Sequence, residues 1–588
     1  MNDDGLDEKG GLTPTSGSVD EISEKIPPLG VPIDTANQGG FSAIFSYFRR
    51  PKIDLDVIAT QPSVFDNPVS LQAYTPPKSY ENAHRFDVLA RWTWREEKKV
   101  IRKIDTRIMI WACIMFLALD LDRSNISQAN SDNFLDDLNL TTNDYNLGNT
   151  LFRLSFLLAA SPSELPSQLV SKRIGPDVWV PCQMVLWSVV SLCQFWLSGR
   201  KSFLACRFLL GFLQGGFIPD VVLYLSYFYT GPELPLRLAF FWLSNYLADI
   251  VAAFLATGIL QLRGVNGKEG WRYLFLLEGI LTLVIGLITF FMMPAGPTQT
   301  KTWFRPKGWF TEREEVIMVN RVLRDDPAKS DMHNREGLSI KMIWKSIKDW
   351  RLWPIYALGL VHMMPVGPPQ TYLTLSLRNL GFDTTETNLL TIPSVVIGAI
   401  MLFFTAWFSE AVNSRVAATL ILQIWALPLL IALYTFNHST SQWVYFAVVT
   451  LLTGFPYVHP IQVAWASRNS FSVRQRLGDW KRLFAFADIE RCRTVSASIY
   501  NMFVQTGSIV YANIYRKDDK PLYKRGNRQL IAICSMNICI YIFTYFFYKI
   551  MNARREKKWN SWSSKEKEEY IKTTKDEGNQ RLDFRFAY

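Results

Sequence analysis

Apolar residues gather in long blocks along this chain of 588 residues. A helix needs about 20 apolar residues to cross a bilayer core of roughly 30 Å. Twelve blocks of suitable length form two groups of six, separated by a charged stretch. We predict one membrane-spanning helix for each block, at about 104–126, 144–169, 178–198, 203–228, 235–262, 272–293, 352–376, 388–409, 416–435, 442–466, 494–515 and 527–549.

The alternative is a large soluble helical protein. Trp179–Leu197 and Leu274–Met293 argue against it, because few charges interrupt them. The mean hydropathy of +0.05 is low for a membrane protein because polar tails and a polar central loop dilute the average. We therefore predict an all-α membrane protein.

The polar segments divide the chain into five parts. The first part is rich in Gly, Pro, Ser, Asp and Lys, a composition typical of disorder. The stretch from Arg91 to Asp105 is a basic, Trp-bearing helix suited to the headgroup layer. The predicted parts are a disordered tail at 1–90, a six-helix bundle at 91–293, a central loop at 294–351, a second bundle at 352–549 and a tail at 550–588.

The net charge of +11 is distributed as in a membrane protein and gives no reason to expect nucleic acid. With the amino terminus in the cytoplasm, the cytoplasmic loops hold 23 Lys and Arg and the external loops hold 12. The positive-inside rule therefore favours cytoplasmic termini, although 516–528 is basic and external. The first ninety residues lack an apolar core, so we expect no cleavable signal and a first span that acts as the anchor.

No motif of an enzyme or of a bound cofactor is present. The chain has no P-loop, nucleotide fingerprint, HExxH motif or paired-cysteine metal site. Six of the seven cysteines fall within or beside apolar blocks, where they act as small hydrophobic residues. We expect no enzyme activity, cofactor or metal. Intramembrane acids then remain as the means of coupling, with protons as the ion.

Charged residues inside a bilayer need a partner or a purpose, because burying each one costs several kcal/mol. The first span carries Asp120, Asp122 and Arg123, and Asp120 and Arg123 can pair at i, i+3. Alternatively, these residues lie beyond the bilayer edge. In the second span, Arg153 has no acid within four residues and is eleven residues before Glu164. Arg153 could meet an anionic substrate or pair with another helix.

One stripe of the fourth span combines a cation and an amide at helical spacing: Arg207, Gly211, Gln214, Ile218 and Val221. Gly211 and Gly215 form a G-x-x-x-G motif, which favours close helix packing. Arg207 could instead lie at the outer boundary. Pro219 is predicted to interrupt the helix midway, and Asp220 beside it could carry a coupling proton.

Later spans contain further ionisable residues. Asp249 is in the fifth span, and Glu278 is in the sixth, near its outer end. His362 and His459 are the histidines at membrane depth. We interpret both histidines as core groups with satisfied hydrogen bonds, with a proton relay as the alternative.

Several motifs resemble those of the anion:cation symporter family, the fungal group related to allantoate permease within the major facilitator superfamily. They are LDLDRSNISQANSDNF (119–134), SELPSQLVSKRIGPD (163–177), RFLLGFLQGGFIPD (207–220), EGWRYLFLLEG (269–279) and RVLRDDPAKSDM (321–332). The tail at 559–588 is similar to that of fungal sulfonate and alternative sulfate transporters. The resemblance implies a major facilitator fold of twelve transmembrane helices in two six-helix bundles, with a site between them.

Two stretches depart from the resembled pattern. FRLSFLLAASPSELPSQ (152–168) has about four extra residues, including Pro162, which would kink the helix. Residues 477–492 form an insert of sixteen residues in a cytoplasmic loop, and a retained intron would explain it. A loop tolerates such extra length.

These features and the resemblance together predict a proton-coupled importer of a small anion, for which the resemblance implies a sulfonate or sulfate. Arg153 or Arg207 would bind the anion with help from Gln214, and Asp122, Asp220 or Glu278 would carry the proton. The residues predicted to be structural are Asp120, Arg123, Gly211, Gly215 and Pro219. We expect a monomer in the plasma membrane whose partners are the small anion, the proton and the lipid bilayer.

Other interpretations stay open at this point. The resembled family also includes carriers of pantothenate, biotin, nicotinate and allantoate, and an exporter has the same sequence features. Outside transport, the chain could be a nutrient-sensing receptor or an inactive gene product.

Overall fold

In the computed structural model the regular secondary structure of the described residues is helical, apart from two isolated β-bridges. Helical order is expected in a bilayer, where each backbone N–H and C=O must find a partner within the chain. The described residues are 29–30, 54–66, 71, 74–78, 80–160, 170–171, 174–327, 329–330, 344, 346–412, 414–470, 483–574, 576 and 578–588.

The first half contains six spans, which we number in chain order. Span 4 is broken by a turn at Gly215 and Gly216, four residues before the predicted break at Pro219. The bounds of spans 1 to 6 are Ile110–Ala129, Thr142–Ala160, Pro176–Cys193, Arg200–Gln214 with Phe217–Leu225, Leu234–Ile259 and Gly270–Met292. Pro162 and Glu164 lie outside the described residues.

The second half contains spans 7 to 12, two of which are broken. Span 7 consists of Trp353–Val361, Gly367–Thr371 and Leu373–Asn379, and span 10 of Gln442–Thr453 and His459–Ser470. The others are Ile392–Val412, Arg415–Thr435, Leu483–Tyr511 and Lys524–Asn560. Residues 471–482, including the start of the predicted insert, lie outside the described residues, and span 11 begins within the insert.

Seven of the described helices are long and apolar enough by themselves to cross a membrane. Span 1 falls short of that criterion because Asp120, Asp122 and Arg123 lie within it, and spans 7 and 10 are interrupted. The all-helical fold predicted from the hydrophobic blocks is confirmed.

A folded collar covers one end of the first half. The helix Trp94–Ile104 begins at Thr93, whose side chain and Glu96 form a capping box. The helix Glu312–Asp325 packs against it, and Lys103 bonds to Glu314 at 2.7 Å. Described stretches of 54–92 pack there too, with Phe65 buried against the second helix. These described stretches are folded, because apolar side chains at wide spacing find a buried surface on the central connection.

The carboxyl-terminal residues pack on the same end of the second half. The Asn552 side chain bonds to both the backbone N–H and the C=O of Phe586, at 2.9 and 2.8 Å. Trp465 donates to the carbonyl of Ala587 at 2.7 Å. We call this end of the molecule, which carries both tails and the collar, the tail side.

The two halves are joined at the opposite end, which we call the closed end. Asn146 donates to the carbonyl of Tyr515 at 2.7 Å and accepts from the hydroxyl of Tyr372. Ser131 accepts from Asn388 at 2.8 Å. Among described residues, no hydrogen bond or ion pair joins the halves at the tail side. The described polar contacts between the two halves are thus concentrated at the closed end.

Candidate functional site

Three arginines from three spans of the first half lie within electrostatic range of one another. Arg123 is on span 1, Arg153 on span 2 and Arg207 on span 4, and the charge of each repels the other two. Arg207 is 4% exposed and Arg153 is half-buried. Gathering like charges away from water costs free energy unless a counter-charge is present. The cluster is therefore suited to an anion.

Arg207 is partly held by the protein. One guanidinium nitrogen, Nη2, donates to Asn149 Oδ1 at 3.1 Å, and the guanidinium carbon lies 4.5 Å from the ring centre of Phe152. Its Nε and Nη1 are buried and have no hydrogen-bond partner among the described residues. Arg207 is thus fixed in position while two of its donors remain available.

Arg123 bonds across the bundle and does not form the ion pair expected from the sequence. Its Nε donates to Gln214 Oε1 at 3.0 Å, and the guanidinium lies over Phe156 at 5.1 Å. Within the described part of the chain, Asp120 affects Arg123 by its charge but is not ion-paired with it. The buried Nη2 of Arg123 has no partner among those residues. Arg123 therefore joins the cluster, although the sequence pattern assigned it a structural role.

Arg153 is the member of the cluster that the protein holds least. No hydrogen bond or ion pair links its side chain to a described residue. Arg153 lies within electrostatic range of Tyr457, which is in the break of span 10 and belongs to the second half. Arg153 consequently faces the region between the halves.

Asp120 and Asp249 form a carboxyl pair beside the cluster. Asp249 is on span 5, and its side chain lies within hydrogen-bonding range of Asp120. A hydrogen bond between two carboxyl groups requires one proton, because an ionised carboxylate has only acceptors. Two carboxyl groups this close together, beside the three cations, favour an arrangement in which one of them is protonated.

Asp122 and Glu278 meet on the other face of span 1. Asp122 is 1% exposed and accepts from the hydroxyl of Ser191 on span 3 at 2.6 Å. Glu278 on span 6 is also 1% exposed and lies within range of the charge of Asp122. Neither oxygen of Glu278 has a hydrogen-bond partner among the described residues. Two buried acids in mutual range favour an arrangement in which at least one of them is protonated.

The glycines of span 4 allow spans 2 and 4 to pack closely. A Cβ atom at Gly211 would collide with the Ser155 hydroxyl and the Phe152 carbonyl on span 2, so the packing role predicted for Gly211 has a physical basis. Gly215 lies at the turn that breaks span 4. Pro219 is exposed in the first turn of the next helix, where its missing N–H costs no helical bond.

Asp220 and Gln214 lie on opposite sides of the turn that breaks span 4. Asp220 is 2% exposed and belongs to the second helix of span 4, beyond the turn. Gln214 is fully buried at the end of the first helix of that span and bonds to Arg123. Of the predicted site residues, Arg153, Arg207 and Gln214 are thus brought together with Arg123, whereas Asp220 belongs to the next helix.

The arginine cluster lies directly beneath the closed end. Tyr145 on span 2 is close enough to Arg153 and Arg207 to feel both charges. The ring of Tyr145 contacts that of Tyr372 in the second half, with centres 5.7 Å apart. Tyr372 also bonds to Asn146 in the link between the halves. An ion at the cluster would therefore lie one side chain away from the contacts that hold this end closed.

The second half presents an aromatic wall opposite Arg153. Tyr457 and His459 have ring centres 6.0 Å apart, and His362 stacks on His459 at 6.1 Å with nearly parallel planes. His362 Nδ1 lies 3.1 Å from the carbonyls of Leu358 and Gly359, whereas the buried Nε2 has no described partner. His362 was predicted to be a core group with satisfied hydrogen bonds, and this is the case for its Nδ1 but not, among described residues, for its Nε2.

Sequence reasoning missed three residues of this region. Asn149 lies four residues before Arg153 on the same helical face, so its spacing was a usable signal. Tyr457 falls in the break of span 10, next to Pro456, and such breaks often line membrane sites. Asp249 was visible as an intramembrane acid, but its pairing with Asp120 depends on how spans 1 and 5 pack.

Comparisons with known proteins give one consistent result. The Major Facilitator Superfamily model matches residues 112–512. The chain is 43% identical over 511 residues to Uncharacterized transporter YIL166C of Saccharomyces cerevisiae, covering 87% of this chain and 90% of that protein. It is 26% identical over 467 residues to Major facilitator-type transporter hxnP of Emericella nidulans, covering 78% and 88%. A bacterial homologue of the human lysosomal transporter Spinster, in an inward-facing unoccupied conformation, shares the fold with a TM-score of 0.53 at 13% identity, covering 75% and 97%.

Proposed function

The chain belongs to the Major Facilitator Superfamily of membrane transporters, and from this premise we propose that it imports a small anion together with a proton. The observation that carries the proposal is the cluster of Arg123, Arg153 and Arg207, whose three charges outnumber the two neighbouring carboxyl groups. An anion between the halves would compensate that excess.

Arg153 is the proposed principal contact of the anion. Its guanidinium is half-buried and unengaged by described residues, whereas Arg207 is held by Asn149 and Arg123 by Gln214. The anchored pair would supply fixed donors, and Arg153 would close on the anion from span 2. A guanidinium offers two parallel N–H donors that match two oxygens of one anion.

A sulfur oxyanion, sulfonate or sulfate, is the proposed substrate. Its tetrahedral oxygens suit several guanidinium forks at once. The motifs and the tail at 559–588, which resemble those of sulfonate and alternative sulfate transporters, support this choice. The aromatic wall of Tyr457 and His459 would contact the organic group of a sulfonate.

Asp122 and Glu278 are the proposed carriers of the proton. They are buried from water, they repel each other when both are charged, and Glu278 has no described hydrogen-bond donor. Protonation of one of them would remove that repulsion. Span 1 connects the two functions, because Asp122 and Arg123 are adjacent residues on it.

The proposed cycle alternates access to the site. With both tails in the cytoplasm and the protein in the plasma membrane, the closed end would face outward, and this conformation would give access from the inside. Binding from outside would require Asn146 to release Tyr372 and Tyr515, followed by approach of the halves at the tail side.

Uptake of radiolabelled sulfate and of a labelled sulfonate by a fungal host that lacks its own sulfur transporters tests the proposal. We expect accumulation above the external concentration that collapses when a protonophore removes the proton gradient. Binding without accumulation would indicate a receptor and contradict the proposal. Accumulation of nicotinate or pantothenate with no uptake of either sulfur compound would contradict the substrate class.

A further inference from the structure

Two arginines flank one tryptophan outside the transport region. Arg107, just before span 1, lies with its guanidinium 5.7 Å from the ring centre of Trp309, and Arg305 lies 4.1 Å from it. Arg107 also donates to the Trp309 carbonyl at 3.1 Å. Arg305 donates to the carbonyl of Phe291, in the last turn of span 6. The start of span 1 and the connection after span 6 are thereby joined.

Within the described residues, no acid is paired with either arginine of this pair. Burial first, and then the charge of Arg107, lower the pKa of Arg305. The Nη1 atom of Arg305 is buried and has no hydrogen-bond partner among the described residues. An external anion would stabilise two adjacent guanidinium groups that are partly buried beside one tryptophan.

The surrounding side chains place the pair at the bilayer surface. A tight turn joins Thr302 and Arg305 and brings the Phe304 ring to 5.2 Å from Phe291 at the end of span 6. Trp303 at the tip of the turn is 88% exposed. Tryptophan with exposed apolar surface at the end of a span is typical of the membrane–water boundary, where lipid headgroups lie.

We propose that Arg107, Arg305 and Trp309 bind the headgroup phosphate of an anionic phospholipid in the leaflet on the tail side. The guanidiniums would bond to phosphate oxygens, and Trp303 and Phe304 would lie among the upper acyl chains. Two uncompensated positive charges favour a lipid with net negative charge over a zwitterionic one. The bound lipid would tie the collar and the central connection to the membrane surface.

Thermal unfolding of the purified full-length chain in detergent, titrated with dioleoyl phosphatidylserine, tests this site. Parallel titrations use dioleoyl phosphatidylcholine and inorganic phosphate. We expect phosphatidylserine to raise the unfolding temperature more than phosphatidylcholine at equal concentration. Arg107→Gln and Arg305→Gln should each weaken the phosphatidylserine effect about fivefold in half-saturating concentration.

Lys307→Gln is the matched control, because it removes one positive charge from an exposed side chain two residues after Arg305. It should titrate like the wild type. An equal loss in Lys307→Gln would show that general surface charge attracts the lipid, and the site would be rejected. Stabilisation by inorganic phosphate alone would mean a free-anion site and would reject the lipid. If Arg305→Gln does not fold, Arg107→Gln decides.

Discussion

Replacing Arg153 by lysine is the sharpest test of the arginine cluster. Lysine keeps the positive charge but offers a point charge in place of a planar fork, so a bidentate contact with an oxyanion loses one of its two bonds. A hydrogen bond to a charged group contributes about 1.5–3 kcal/mol, which corresponds to a loss of about tenfold to a hundredfold in apparent affinity. Initial rates of labelled sulfonate uptake over a range of concentrations measure this loss as a higher KM.

The structure predicts that Arg153→Lys leaves the folded protein intact. No described residue bonds to the Arg153 side chain, and a substitution of this kind changes stability by only about 0.5 kcal/mol or less. The amount of protein in the membrane and its unfolding temperature in detergent should match the wild type.

Arg207→Lys is the matched control, because Arg207 has protein partners that lysine cannot keep. The substitution removes the 3.1 Å bond to Asn149, worth about 1 kcal/mol, and weakens the stacking on Phe152. It should lower the unfolding temperature as well as uptake. Unchanged KM and maximal rate in Arg153→Lys would refute the assignment of Arg153 to the substrate.

Three further predictions concern packing, gating and the insert, and a fourth concerns orientation. Gly211→Val should sharply reduce the amount of folded protein on a fluorescence-detected gel-filtration profile, because even a Cβ collides with span 2; a normal profile would contradict the packing. Asn146→Ala should increase labelling of cysteines introduced beneath the closed end by an external reagent, because the two hydrogen bonds of Asn146 to the second half are lost; unchanged labelling would argue against a gate. Deleting 477–492 should leave expression and uptake equal or better, and loss of uptake at normal protein levels would show that the segment is needed. Tags on either terminus should be inaccessible in intact cells, and labelling from outside would overturn the proposed orientation.

The sequence alone determined the number and approximate bounds of the spans. Crossing a bilayer requires a certain length of apolar chain, and that requirement is visible residue by residue. The sequence also showed which ionisable residues lie within the apolar spans, where burying a charge is unfavourable; they include Asp122, Arg153, Arg207 and Glu278. Helical spacing further placed Arg207, Gly211 and Gln214 on one face, and all three are buried in the structure.

Only the tertiary structure decided which of these residues meet. Periodicity relates residues three or four apart on one helix, and by that rule Arg123 should pair with Asp120. Packing instead brings Arg123 to Gln214 on span 4 and Asp120 to Asp249 on span 5. Contacts between helices depend on how side chains of many spans fill the space between them, which no local pattern encodes. The sequence therefore shows which charged residues are buried. The site that these residues form depends on the packing of the helices and is visible only in the folded structure.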